Sequence, residues 1–120
     1  MDDMPAMRAI LREMLESIGD FEVVEWEDGE SAWIALQSAE TVPQLLLLDV
    51  VLPGMNGLDL VRAVRGLPRL ESMKILMVTS EGRLDHVEEA DRVGADSYLV
   101  KPFDSQRLLE AISPLIGSLL

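Results

Sequence analysis

LLLLDVVLPGMNG, residues Leu45 to Gly57, decides the fold of this chain. Four leucines run into one acid, Asp49, between Pro43 on one side and Pro53, Gly54 and Asn56-Gly57 on the other. A short continuous apolar run with turn residues at both ends reads as a strand covered on both faces. Asp49 then stands where a central strand gives way to a loop. In open α/β sheets ligands bind at the carboxyl ends of the strands, so a carboxylate there is placed for chemistry. The same acid in isolation would serve equally well to start a turn.

The flanking sequence repeats the pattern. Lys74 to Thr79 (KILMVT) is a second apolar run, ending on a hydroxyl, and Asp96 to Lys101 (DSYLVK) reads as a further strand, ending on a lysine. Phe21 to Trp26 (FEVVEW), β-branched and aromatic, also reads as a strand, ending at an Asp28-Gly29 turn. Between these runs lie helical spacings. Met7, Ile10, Leu11, Met14, Leu15 and Ile18 form a stripe closed by Gly19, with Asp3 or a neighbour at its start. Ser31 to Ala39 turns Ala32, Ala35, Leu36 and Ala39 inward. Leu58, Leu60, Val61 and Val64 outline a helix ended by Gly66 and Pro68. Arg83 to Val93 is a charged, one-sided helix closed by Gly94. Asp104 or Ser105 caps a last helix with Leu108, Leu109 and Ile112 inside, which Pro114 should kink or end. Helix and strand in alternation indicate one α/β domain, residues 1 to 120, with a parallel sheet.

Composition narrows the function. Asp and Glu number 22 against 10 Lys and Arg, a net charge of −12, which opposes phosphate backbones and anionic membranes, so no direct nucleic-acid or membrane contact is expected. With no cysteine there is no disulfide framework, thiolate metal site or thiol catalysis. No apolar run approaches the ~20 residues of a membrane span, and no signal peptide precedes the first helix, so the cytoplasm is the expected location.

In a parallel sheet the ends carrying Asp49, Thr79 and Lys101 share one edge, which Asp2 and Asp3 can join from ahead of the first helix. Clustered carboxylates draw in a hard divalent cation, and Mg²⁺ keeps several coordination positions for water and phosphate oxygens. An acid, a metal, a hydroxyl and a lysine describe a phosphoryl-accepting site. Asp49 attacks phosphorus, Mg²⁺ and Lys101 neutralise the phosphoryl oxygens, and Thr79 donates a hydrogen bond to one of them.

With these residues in view, the sequence resembles the receiver domain of bacterial two-component response regulators, chiefly the single-domain chemotaxis kind. The resemblance rests on DDMPAMR, EDGESA, LLLLDVVLPGMNGLDL, ILMVTSEG and GADSYLVKPF, and covers nearly the whole chain. It implies a flavodoxin-like, doubly wound parallel sheet of order 2-1-3-4-5. It further implies Asp49 as phosphoacceptor, Asp2, Asp3, Asp49 and the Val51 carbonyl as ligands of Mg²⁺, and Lys101 as the phosphate-binding lysine. Thr79 and Tyr98 become a switch pair, the ring following the hydroxyl inward on phosphorylation. The implied partners are a histidine kinase or phosphotransfer protein as donor and a downstream protein as target. Such a chain is not an enzyme beyond its own phosphorylation and dephosphorylation.

The family carries an apolar strand before the acidic pair, whereas here Met1 directly precedes Asp2-Asp3. That strand is expected either from residues upstream of Met1 or from another chain, which would make a dimer by strand exchange; otherwise the sheet closes with four strands. Three rivals follow. A receiver-like interaction module that is not phosphorylated would fit a metal site impaired by the missing strand. A haloacid-dehalogenase-like phosphatase would need an acid two residues after its nucleophile, where this chain has Val51. A histidine phosphotransfer domain would rest on His86, the single histidine, yet it belongs to helical bundles rather than to an α/β chain.

Overall fold

The computed structural model describes residues 5–19, 21–38, 42–49, 56–79, 92–101 and 103–116. The expected helix over Arg83 to Val93 lies outside these except for Arg92 and Val93, which are helical.

The centre is a parallel sheet of β1 (Leu45–Asp49), β2 (Lys74–Thr79) and β3 (Ser97–Val100), in that order. Side chains along β1 and β2 alternate between two cores. Leu46, Leu48, Ile75 and Met77 join one apolar cluster, and Leu47, Leu76 and Val78 join the other. With both faces covered, neither run can afford polar positions, and this accounts for their unbroken apolar sequences.

Two helices build the first cluster. In α2 (Gly29–Ser38) Ala32 and Leu36 are fully buried and Ala35 is half-buried; Ala39 lies outside the described residues. In α3 (Gly57–Arg65) Leu58, Leu60, Val61 and Val64 are buried, as their spacing predicts. Its N-cap is Asn56, whose Oδ1 accepts from the Leu58 amide at 2.8 Å. Residues Pro68–Leu70 follow as a single 3₁₀ turn.

The second cluster lies under α1 (Pro5–Ile18) and α4 (Ser105–Ile116). Leu11 and Leu15 are buried and Met7, Met14 and Ile18 half-buried, whereas Ile10, at the edge of the stripe, is exposed. Asp104 is the N-cap of α4: its Oδ1 accepts from the Arg107 amide at 2.8 Å. Leu108, Ile112 and Ile116 are buried, and Leu109 half-buried.

Three local expectations are corrected. Phe21–Trp26 forms no ladder. A strand exists through a hydrogen-bonded neighbour, and none is in place among the described residues; the Val23 carbonyl accepts instead from the Arg12 guanidinium at 3.0 Å. Asp28-Gly29 is not a simple turn but the start of α2, two residues before the expected Ser31, because Asp28 Oδ1 accepts from the Ser31 amide at 2.7 Å. Pro114 does not end α4, which runs on to Ile116. The missing proline amide removes the donor that the Glu110 carbonyl would otherwise have in the helix, and both residues are exposed.

The strands match the last three of the implied order. Among the described residues the sheet has three strands, and residues 1–4 lie outside the described residues.

Candidate functional site

The ladder staggers the three expected site residues. Asp49 pairs with Val78, one residue before Thr79, and Thr79 pairs with Val100, one residue before Lys101. Successive carboxyl ends therefore present a carboxylate, a threonine and an ammonium side by side. β1 and β3 flank β2, so their backbones stand about 10 Å apart. The lysine stem crosses the end of β2, and Lys101 Nζ donates to Asp49 Oδ2 at 2.9 Å.

Both side chains are only 13% exposed. A largely buried pair of this kind persists because each charge loses water and gains the other. The resemblance assigned Lys101 to the phosphate; the direct pairing with Asp49 is an addition from the structure. Thr79 is described as the last residue of β2 but not in its side chain. Tyr98, opposite Met77 on β3, is half-buried against the first cluster, which also holds Leu48 and Trp33. Asp2, Asp3, Val51 and His86 lie outside the described residues.

The donor set for a cation is thus described only in part. Among the described residues no group of three or more acidic, histidine or cysteine side chains is gathered, and Asp49 is the one expected side-chain ligand described. A hard-cation site centred there fits only if Asp2 and Asp3 contribute. No helix of the described residues is long and apolar enough to cross a membrane.

The opposite edge of the sheet carries a network that sequence reasoning missed. Arg65, at the end of α3, donates to the Gly94 carbonyl at 2.9 Å, the Met73 carbonyl at 2.8 Å and Asp96 Oδ2 at 2.7 Å. Asp96 Oδ2 also accepts from the Ile75 amide at 2.8 Å. Nearby, Arg69 donates to the Gln37 carbonyl at 2.8 Å and so caps the end of α2. An open cleft of 420 Å³ beside Arg65, Lys74 and Asp96 also lies at these amino ends, away from Asp49.

Fold and site edge together define a flavodoxin-like α/β domain with its acid at the carboxyl end of a central strand. The response regulator receiver domain matches residues 1–113, and the chain belongs to that family. A chemotaxis protein CheY homolog of Campylobacter jejuni is 40% identical over 117 residues, covering 98% of this chain and 89% of that protein. The chemotaxis protein CheY of Pseudomonas aeruginosa is 40% identical over 114 residues, covering 95% and 90%. Among solved structures, chemotaxis response regulator CheY4 of Vibrio cholerae superposes with a TM-score of 0.85 at 32% identity, covering 96% of this chain and 93% of that one. A response regulator of Chloroflexus aurantiacus gives 0.88 at 31%, covering 98% and 93%. The chain is a phosphoacceptor receiver of two-component signalling, working between a kinase and a downstream target.

Proposed function

We propose that Asp49 is the residue phosphorylated, that Lys101 and Thr79 hold the phosphoryl oxygens, and that Asp2, Asp3, Asp49 and the Val51 carbonyl bind Mg²⁺. The observation that carries this reading is the 2.9 Å contact between Lys101 Nζ and Asp49 Oδ2 at the carboxyl edge.

A carboxylate oxygen of Asp49 attacks the phosphorus of a phosphohistidine on a histidine kinase or phosphotransfer protein. The new P–O bond forms as the P–N bond breaks, and the leaving imidazole nitrogen takes a proton. Negative charge thereby moves outward from the carboxylate onto the phosphoryl oxygens, and the flexible lysine stem lets the ammonium follow it. Mg²⁺, when bound, neutralises the same oxygens. Thr79 donates its hydroxyl proton to one of them, and Tyr98 moves into the space so opened, altering the surface seen by a protein target. The reaction returns to its start when water displaces the phosphoryl group, so the chain turns over no external substrate and is not otherwise an enzyme. The setting is the cytoplasm, where the phosphodonor resides.

Acetyl phosphate with Mg²⁺, read by intact mass, tests the assignment. One added phosphoryl group is expected on the parent and none on Asp49→Asn. Equal phosphorylation of Asp49→Asn, or no Mg²⁺ dependence, would sink it.

A further inference from the structure

Arg8 and Arg12 stand one helical turn apart on the same side of α1, and one carboxylate answers both. Arg12 Nε donates to Glu25 Oε2 at 2.7 Å, and Arg8 Nε lies 3.5 Å from Glu25 Oε1. Through Nη2, Arg12 also donates to the Val23 carbonyl at 3.0 Å. Two guanidinium groups one turn apart repel each other, and Glu25 offsets this by giving each of them one oxygen. Glu16, a further acid within reach of Arg12, stands 3.8 Å away and is more exposed.

This clamp grips α1 where packing holds it least. From Ala6 to Ile10 no side chain is fully buried, and the first that is buried is Leu11. Within that stretch only Met7 and Arg8 are half-buried. Met7 is a flexible thioether that fits gaps of many shapes, so it restrains the rotation of the helix only loosely. The Arg8 side chain is 15% exposed and that of Glu25 33%, so water and salt screen their contact less than a surface ion pair. Arg8 follows Pro5 by three residues, about 4.5 Å along the axis, and Asp3 precedes Pro5 by two. A turn of the helix at Arg8 is therefore passed directly to its start.

We infer that Glu25 is a positioning residue for metal binding: through Arg8 and Arg12 it fixes the rotation of α1, and so the placing of the acidic pair ahead of that helix. It acts through the helix and is not itself a ligand. Mg²⁺ demands nearly ideal octahedral geometry, so a small displacement of its carboxylates lowers its affinity. The inference rests on Asp2 and Asp3 being the ligands proposed above.

The probe is Mn²⁺, a hard cation with the same taste for carboxylates, counted as free ion by electron paramagnetic resonance on the unphosphorylated chain. Thermal unfolding is recorded on the same samples. Glu25→Gln should weaken binding about tenfold, the low end for groups that orient metal ligands. Arg8→Met supplies the decisive sign. By charge alone, removing a cation strengthens metal binding, whereas loss of the clamp should weaken it about threefold or more. Arg8→Lys, which keeps the charge, should stay within about threefold of the parent. The Glu25→Gln/Arg8→Met double variant should bind no more weakly than Glu25→Gln, since both changes open one clamp. Tighter binding by Arg8→Met would overturn the inference, and so would a lowered Tm with unchanged Mn²⁺ affinity, which would make the clamp merely structural. Failure of the ligand assignment reads differently: a parent that binds no Mn²⁺, or binds it equally well as Asp2→Asn/Asp3→Asn, would remove that assignment and the inference with it.

Discussion

Replacing Arg65 by methionine keeps the length of the apolar stem and removes the guanidinium fork. The Arg65 carbonyl partners, Gly94 and Met73, lose part-buried donors, and Asp96 loses the cation at 2.7 Å while keeping the Ile75 amide. A neutral hydrogen bond contributes about 1 kcal/mol net and a charge-assisted one about 1.5–3. The side chains of Arg65 and Asp96 are 21% and 27% exposed, so the ionic part belongs at the low end of that range. The total is about 3 kcal/mol. A chain of 120 residues has an unfolding entropy near 0.25 kcal/mol per degree, so Tm should fall by about 12 °C. Arg65→Lys should recover little, since one ammonium cannot face four acceptors, the Gly94, Met73 and Glu71 carbonyls and Asp96, set around a planar fork. The assay is thermal unfolding by circular dichroism on parent, Arg65→Met, Arg65→Lys, Asp96→Asn and the Arg65→Met/Asp96→Asn double variant. The double should lose less than the sum of the singles. A fall below about 3 °C for Arg65→Met, or full recovery by lysine, would refute the reasoning that this fork ties the sheet's amino edge together.

At the other edge, Lys101→Met should slow phosphorylation by acetyl phosphate about ten- to a hundredfold while leaving the product on Asp49, measured by mass against time. Gly94 has φ +108°, and an added Cβ would stand 2.9 Å from Arg65 Cγ, which the fork holds in place; Gly94→Ala should cost about 1–2 kcal/mol in urea unfolding. Hydrogen bonds from the Ser31 amide and hydroxyl hold the Asp28 carboxyl below the ordinary carboxylate range. Its folded value being depressed, the contribution to stability is present above the unfolded value of about 3.9 and fades as pH falls through the folded one. Asp28→Ala should therefore lower Tm at neutral pH and converge with the parent in strong acid; a constant difference across that range would contradict the capping role.

The parts of this fold that could be read from the sequence are those that burial writes directly into residue type. Leu45–Leu48 and Ile75–Val78 must satisfy two cores at once and so became unbroken apolar runs, from which the parallel sheet and its loaded carboxyl edge followed. Asp49 was legible because it ends such a run, and Lys101 because it ends a strand-like segment just before Pro102. What stayed hidden depends on partners distant in sequence. Arg65 meets residues 29 and 31 positions away, and an arginine carries no periodic signal that would announce it. Phe21–Trp26 has strand composition, but composition cannot supply a neighbour. Asp28-Gly29 suits a turn and a helix start equally, and only the return of α2 onto the sheet selects the cap.

The two edges of the sheet are built for different tasks. The amino edge is fixed by side-chain bonds to backbone: Arg65 to Gly94 and Met73, Asp96 to Ile75, Arg69 to the end of α2. None of those partners is the group proposed to be phosphorylated, which suits this edge to the role of an anchor. The carboxyl edge is joined across β2 by an ion pair whose anion is the proposed phosphoacceptor, Asp49 with Lys101. Adding a phosphoryl group there would move the centre of negative charge away from β1, and the Lys101 ammonium, on its flexible stem, would be drawn after it. Lys101 directly follows β3, which carries Tyr98 three residues earlier. A displacement at Lys101 therefore enters the strand that holds the candidate switch residue, while Asp96 anchors the other end of the same segment. The end that yields is thus the end that carries the acid, and a local change of charge is delivered to the outer strand rather than spread over the whole sheet.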